Sequence, residues 1–366
     1  MNRVVITGMG ALCGEIRPCT VDDTNGLLTD KFGEIGGLDG DNRLYEIIRR
    51  SVGEMLSDAG LESADLSARG RDCRLFFGTL LARDNAFLAH SRSGAPTLAM
   101  MNEFAVYAAG LAGVRGAVDI SSASCAAGTT ALGMAFDYIR NGVCSMAVAG
   151  GAEELTQTAG YGFNCLRSLS HNVCSPYDVQ HDGINIGEGG AFFMLETPEH
   201  ARERNARIYC EIVGFASGND AYHATSPEPT GEEAFHLMRR ALIDAGLTAD
   251  QLDYINGHGT GTILNDTMET NALKKLYDGA EKTPFVSSSK ARIGHCMGAS
   301  GAAELADLIR SMQTGEPIVM PNLTEPLDGC EMYNPPESID MEYAMSASFG
   351  FAGNGAVIVV RKWGEK

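Results

Sequence analysis

No run of apolar residues in this chain approaches the roughly 18 to 20 needed to cross a bilayer. The opening MNRVVITGMGALCG starts directly as a strand, without the long apolar core and cleavage site of a secretory leader. A soluble, cytoplasmic protein with no membrane contact is expected. Basic residues are scarce, with 28 Lys and Arg against 47 Asp and Glu, a net charge of −19. Nucleic acid and anionic lipid surfaces both need clustered cations, so neither is an expected partner. Ten cysteines are present, but they form no C-x-x-C pair and no spacing with histidine that reads as zinc ligation. No metal is therefore expected, and the thiols read as reduced. Nor is there a Pro- or Ser-rich linker to divide the 366 residues.

What is present is ordinary for a globular chain, 44% apolar and 20% charged, except for 44 glycines, which imply many tight turns and close backbone approaches. Strands and helices alternate. A buried strand covers Met1 to Gly10, residues 14 to 42 read as irregular, a helix spans Leu44 to Ala59, and a strand lies near Leu75 to Gly78. A helix over Pro96 to Ala112 leads into VDISSASCAAGTTALGMAFDYIR, Val118 to Arg140, a strand that turns into an amphipathic helix. SMAVAGGAEE and the end of Cys174 to Glu196 are further buried strands. From Arg207 the pattern restarts: strand, helix Gly231 to Ala245, strand LDYINGHGTGT, helix Asp266 to Tyr277 opened by an Asp266–Glu269 capping box, strand PFVSS, helix Ser300 to Met312, then two strands joined by SFGFAGNG. Two similar α/β halves, residues 1–200 and 207–366, are expected to pack together with their loops around a shared site.

Cys125 sits at the strand-to-helix turn among Ser121, Ser122, Ala123, Ser124, Ala126, Ala127 and Gly128. Unpaired N–H groups and the positive end of the helix dipole favour a thiolate there, which predicts a lowered pKa and a nucleophile. Most cysteines are merely buried small hydrophobes. Three more glycine-flanked loops follow predicted strands and carry His258, then Lys290 with His295, then Phe351. A single such residue is more often a loop hydrogen-bonder or a solvated charge; the argument lies in their convergence beyond the carboxyl ends of strands. Phe351, set between Gly350 and Gly353, is expected to act as a gate.

The set SASCAAG, INGHGTGT with Asp266 and Glu269 after it, VSSSKARIGHCMGASGAAE and SFGFAGNG resembles the β-ketoacyl-acyl carrier protein synthases, condensing enzymes with the thiolase fold. The resemblance covers nearly the whole chain. It implies two α/β halves in a layered αβαβα arrangement, with Cys125 as acyl acceptor, His258 and His295 as the paired histidines, Lys290 beside them and Glu304 as its acidic partner. Backbone N–H groups of Cys125 and Phe351 would form the oxyanion hole, and Thr260, Thr262 and Thr225 would hold a phosphopantetheine arm. The Cys-His-His set resembles the elongating type; initiating synthases carry asparagine for the second histidine, and thiolases a second cysteine.

The implied reaction is decarboxylative Claisen condensation of an acyl group with malonyl-acyl carrier protein, in fatty acid, polyketide or polyene biosynthesis. No cofactor is implied beyond the carrier's phosphopantetheine. The implied partners are acyl carrier protein and a second subunit, in a homodimer or in a heterodimer with a related ketosynthase-like chain. Several features depart from the family pattern. The segments between Gly14 and Leu44 and between Leu81 and Pro96 are short, and Ala347, Ala352, Asn354 and Gly355 alter the usual SNSFGFGGTN. Val179, Gln180 and His181 stand where basic residues are common, leaving Arg43, Arg49 and Arg50 as substitutes for carrier docking. Two rival readings remain: a catalytically silent partner subunit, and a decarboxylase or acyltransferase on the same scaffold.

Overall fold

The computed structural model describes residues 1–18, 27, 29–38, 43–81 and 98–364, with backbone alone for 98–101. The described strands are β1 (Val4–Cys13), β2 (Glu15–Pro18), β3 (Lys31–Glu34), β4 (Cys73–Gly78), β5 (Val118–Ser121), β6 (Met146–Glu153), β7 (Gly189–Glu196), β8 (Cys210–Asn219), β9 (Tyr254–Asn256), β10 (Phe285–Ser287), β11 (Tyr343–Phe349) and β12 (Asn354–Lys362). The helices are α1 (Arg43–Ala59), α2 (Ser63–Ala68), α3 (Leu98–Ala112), α4 (Ala127–Arg140), α5 (Gln157–Cys165), α6 (Pro198–Glu203), α7 (Glu232–Ala245), α8 (Ile263–Leu276), α9 (Lys290–Ile293) and α10 (Ser300–Thr314).

Ten strands hydrogen-bond in the order β10-β9-β11-β12-β8-β1-β7-β6-β4-β5. β1 is central, as its unbroken apolar start predicts, and it meets β8 over only Val4 to Ile6. On either side of that short joint the same pattern runs outward: antiparallel neighbours first, then parallel pairs β4·β6 and β4·β5 on one side and β9·β11 and β9·β10 on the other. β6 and β7 are buried along their whole length, which is why they read as apolar runs without alternation.

Three apolar clusters divide the helices into layers. Leu132, Phe136 and Ile139 of α4 and Leu305, Leu308 and Ile309 of α10 pack between strands of both sides, against Ile6, Phe193 and Ile358. α1 and α3 cover the outer face of β4, β6 and β7 through Leu44, Ile48, Val52 and Ala108, the i, i+4 stripe of an amphipathic helix. α7 and α8 cover the opposite outer face through Leu237, Met238 and Leu273. The order is thus helix, strand, helix, strand, helix.

Two local expectations are corrected. The stretch after Gly14, expected to be irregular, contains a hairpin of β2 and β3, and Gly33 N–H at its end bonds Ile186 O at 2.8 Å. The helix expected to begin with a capping box at Asp266 begins at Ile263 instead. The segment between Leu81 and Pro96 lies outside the described residues. Among the described residues no helix is long and apolar enough to cross a membrane.

Candidate active site

Each reactive side chain is delivered by a strand end. After β5 the chain turns through Ser124, whose φ of +50° is the left-handed conformation that non-glycine residues rarely adopt, and places Cys125 one turn before α4. Gly350 crosses directly over this turn; a β-carbon there would stand 2.8 Å from the Cys125 nitrogen. Only glycine allows that approach. It brings the Phe351 N–H to the Cys125 sulfur, which it hydrogen-bonds. Thr129 and Ser348 hydroxyls, 2.8 Å apart, tie α4 to the strand that carries this loop.

His258 follows β9 and is held from three directions. Its N–H donates to Glu269 Oε1 at 2.7 Å, its carbonyl accepts from Lys290 Nζ at 2.6 Å, and its Nδ1 lies 3.1 Å from the same Nζ. Lys290 Nζ also pairs with Glu304, both side chains being fully buried. All three ammonium protons are thereby used. An ammonium can only donate, so Nδ1 of His258 is the acceptor and its proton sits on Nε2. His295 is positioned by backbone bonds, N–H to Asn185 O at 2.8 Å and carbonyl from Gly187 N–H at 2.9 Å, and its Nδ1 lies 2.6 Å from Ser300 Oγ. The two imidazoles stand edge to face with ring centres 5.4 Å apart.

Burial, then the Lys290 charge, hold both histidines well below the usual imidazole pKa. Both rings are therefore neutral, and His258 presents its Nε2–H. Glu304 is pushed up by burial against the pull of Lys290, and its second oxygen is buried with no hydrogen-bond partner among the described residues.

Cys125 corrects an expectation. Its helix-terminal place predicts a lowered pKa, yet burial pushes the thiol up to about 12 against the pull of Lys290 and the Phe351 N–H. Withdrawal from water outweighs the partial charges of the helix end. The resting group is a thiol, and forming the thiolate needs a proton acceptor.

Cys125, His258, His295 and Phe351 face one cavity of about 270 Å³ that opens to solvent. Thr225, Thr260 and Thr262 line its mouth. Thr260 Oγ1 lies 2.8 Å from Thr262 Oγ1 and also accepts the Thr262 N–H at 3.2 Å, so it braces its own turn as well. The half-buried Phe351 ring stacks on Phe163 of α5, centres 5.3 Å apart, and Phe163 stands edge-on to His295 at 6.4 Å.

The altered residues of the Phe351 loop carry bonds of their own. Ala352 occupies a left-handed conformation, φ +57°, where glycine would be free of strain; its N–H donates to Ala224 O at 2.8 Å and its carbonyl accepts from Asn219 Nδ2 at 2.6 Å. Asn354 Nδ2 donates to Phe351 O at 2.9 Å and reaches Ser124 Oγ at 3.4 Å.

Asp266 and Glu269 do not cap α8. They are fully buried carboxylates that collect N–H groups from the histidine loop and its neighbour: Glu269 accepts from Gly259 N–H as well as His258, and Asp266 from Gly261 N–H and Tyr177 N–H. Tyr177 Oη donates to Glu269 at 2.8 Å. Arg43 is corrected too. Its Nε donates to the buried Glu188 at 2.6 Å, so it is structural, whereas Arg49 and Arg50 are exposed and pair with Glu46. His181 is buried with its Nδ1 3.1 Å from Asp266. Ser300, Phe163 and Tyr177 were not legible as site residues: a hydroxyl five residues past a histidine and an aromatic on another helix leave no periodic signal.

The family model for the β-ketoacyl synthase N-terminal domain matches residues 42–201, and that for the C-terminal domain matches 209–324. A 3-oxoacyl-[acyl-carrier-protein] synthase 2 of Staphylococcus aureus is 35% identical over 260 residues, covering 69% of this chain and 63% of that protein, so the chain spans less than two thirds of this curated relative. Among solved structures, a β-ketoacyl synthase from Burkholderia phymatum superposes with a TM-score of 0.88 at 31% identity, covering 100% of both chains. The ishigamide ketosynthase/chain length factor superposes with a TM-score of 0.90 at 27% identity over 99% of this chain and 100% of that one.

Proposed function

The chain belongs to the β-ketoacyl synthase family, with its thiolase-like fold, and from that membership we propose that it catalyses decarboxylative condensation of an acyl group on Cys125 with malonyl-acyl carrier protein. The observation that carries this reading is the convergence on one cavity of a buried thiol, bonded by a backbone N–H, and two neutral imidazoles whose Nδ1 atoms are already engaged. We read residues 1–200 and 207–366 as two related halves, each supplying part of this site, and the protein as a cytoplasmic dimer with itself or a related chain.

In the proposed loading step, Cys125 Sγ attacks the acyl thioester and its proton passes through a neutral imidazole to the departing pantetheine sulfur. The N–H groups of Cys125 and Phe351 receive the oxyanion. Malonyl thioester follows, its arm along Thr225, Thr260 and Thr262. As the carbon–carboxylate bond breaks and CO2 leaves, the electron pair moves to the thioester oxygen, where the Nε2–H groups of His258 and His295 stabilise the enolate. The enolate carbon attacks the acyl-cysteine carbonyl, and collapse expels the Cys125 sulfur, which takes a proton from solvent to restore the thiol. Lys290, held by Glu304, fixes the His258 tautomer and keeps that ring uncharged. Phe351 is the gate between loading and condensation, its ring leaving the Phe163 stack when an acyl chain enters.

The test is incubation with acyl-acyl carrier protein and malonyl-acyl carrier protein, followed by mass spectrometry of the carrier. A β-ketoacyl carrier two carbons longer than the loaded acyl group is expected. CO2 release without acyl-enzyme would instead assign a decarboxylase, and neither product a silent partner subunit.

A further inference from the structure

Two cysteines outside the reacting set meet beside the second histidine. Cys13 ends β1, where it pairs with Gly189, and Cys296 directly follows His295. Between them runs the segment Gly187 to Gly189. Gly187 N–H bonds the His295 carbonyl at 2.9 Å, and Gly14 N–H bonds the Glu188 carbonyl at 3.2 Å. A β-carbon at Gly187 would stand 3.3 Å from the Cys296 sulfur, and one at Gly189 would stand 2.8 Å from the Cys13 sulfur. The Cys296 sulfur thus packs on Gly187 and the Cys13 sulfur on Gly189, two residues further along the same segment. Cys13 packs against the small cluster of Ile293, Cys296, Ala299 and Ala303. Both are free thiols.

We propose that Cys13 and Cys296 form a reversible disulfide that switches off the His295 side of the site. This rests on the proposed role of His295 in decarboxylation. The asymmetry of the pair sets the order of events. Cys13 is half-buried and within reach of an oxidant, whereas Cys296 is fully buried. Hydrogen peroxide oxidises Cys13 to the sulfenic acid, with one oxygen transferred and water released. The Cys296 thiol then attacks that sulfur, the S–S bond forms, and the hydroxyl leaves with the thiol proton as a second water. Two electrons and two protons from the thiol pair are thus balanced by one peroxide reduced to two waters.

The consequence follows from the chain next to Cys296. A disulfide requires β-carbons about 3.5 to 4.5 Å apart. The bond ties Cys296 to the end of β1. His295 is the adjacent residue, held by two backbone bonds, with its ring bonded to Ser300.

The experiment uses the Cys125→Ala protein, in which the acyl acceptor cannot compete for oxidant, treated with hydrogen peroxide and then with dithiothreitol. Peptide mapping should find Cys13 linked to Cys296 after peroxide and free after dithiothreitol. CO2 release from malonyl thioester by the same protein should fall by up to about 10²- to 10³-fold on oxidation, as for loss of an oxyanion donor, and recover on reduction. Adding Cys13→Ser, or separately Cys296→Ala, should abolish the link and leave CO2 release insensitive to peroxide. Cys13 recovered as sulfinic acid without a linked peptide would overturn the proposal, as would a link that leaves CO2 release unchanged. Absence of CO2 release before oxidation would count against the condensing reading instead, and against the switch, while the linked peptide would still report whether the modification occurs.

Discussion

Removing the Lys290–Glu304 pair separates what it does for stability from what it does for chemistry. Lys290→Met leaves the Glu304 carboxylate buried among apolar atoms, a loss of about 3 to 5 kcal/mol. Because burial already pushes the Glu304 carboxyl up, protonation relieves part of that loss and the lower end of the range is expected. Lys290→Met with Glu304→Leu removes both charges, and most of the stability should return. Activity should not return with it. The His258 Nδ1 loses the donor that fixes its tautomer, and a ring free to carry its proton on Nδ1 supplies no donor to the enolate, about 10²- to 10³-fold in CO2 release. The ammonium is also the second cause, after burial, that lowers the His258 pKa. Without it the imidazole takes up a proton at higher pH, so the acid limb of CO2 release moves towards neutrality. Urea unfolding and CO2 release from malonyl thioester, both measured across pH, are the assays. A double variant that regains stability and also releases CO2 at the wild-type rate would refute the reasoning.

Ser300→Ala should slow CO2 release by roughly tenfold by freeing the His295 ring, while single-turnover acyl loading on Cys125 stays as fast as in the wild type. Ala352→Gly should stabilise the protein by about 1 kcal/mol, since glycine adopts a left-handed φ without the β-carbon penalty; the thermal midpoint reads this, and no rise would mean the loop is unstrained. His258 and His295 take up protons in the unfolded chain below about pH 6.5 but stay neutral in the folded one until well below that. Stability should therefore be flat above that value and fall as the pH drops below it, with a shallower fall in His258→Gln/His295→Gln by urea titration.

The positions of strands and helices along the chain are largely legible because the buried strands β1, β6 and β7 and the amphipathic helices α1, α7 and α10 write their burial into the period of their apolar residues. The residues on strand-end loops were legible because glycines mark those loops. Long-range polar bonds left no such mark. Asp266 and Glu269 spell a helix start, yet their oxygens serve backbone N–H groups of the preceding loop and of Tyr177. Arg43 looks like a surface cation because nothing nearby in sequence shows that Glu188, on the far side of the chain, will bury it. The Cys125 thiol was misjudged for the same reason: helix position can be read locally, whereas burial depends on Gly350 and Phe351 closing over it.

The most direct test is peptide mapping of the wild-type protein and of Cys125→Ala after incubation with acyl-acyl carrier protein. An acyl thioester on the Cys125 peptide, none on peptides of the other cysteines, and no acylation of the variant is the expected result; loading that survives Cys125→Ala would contradict it.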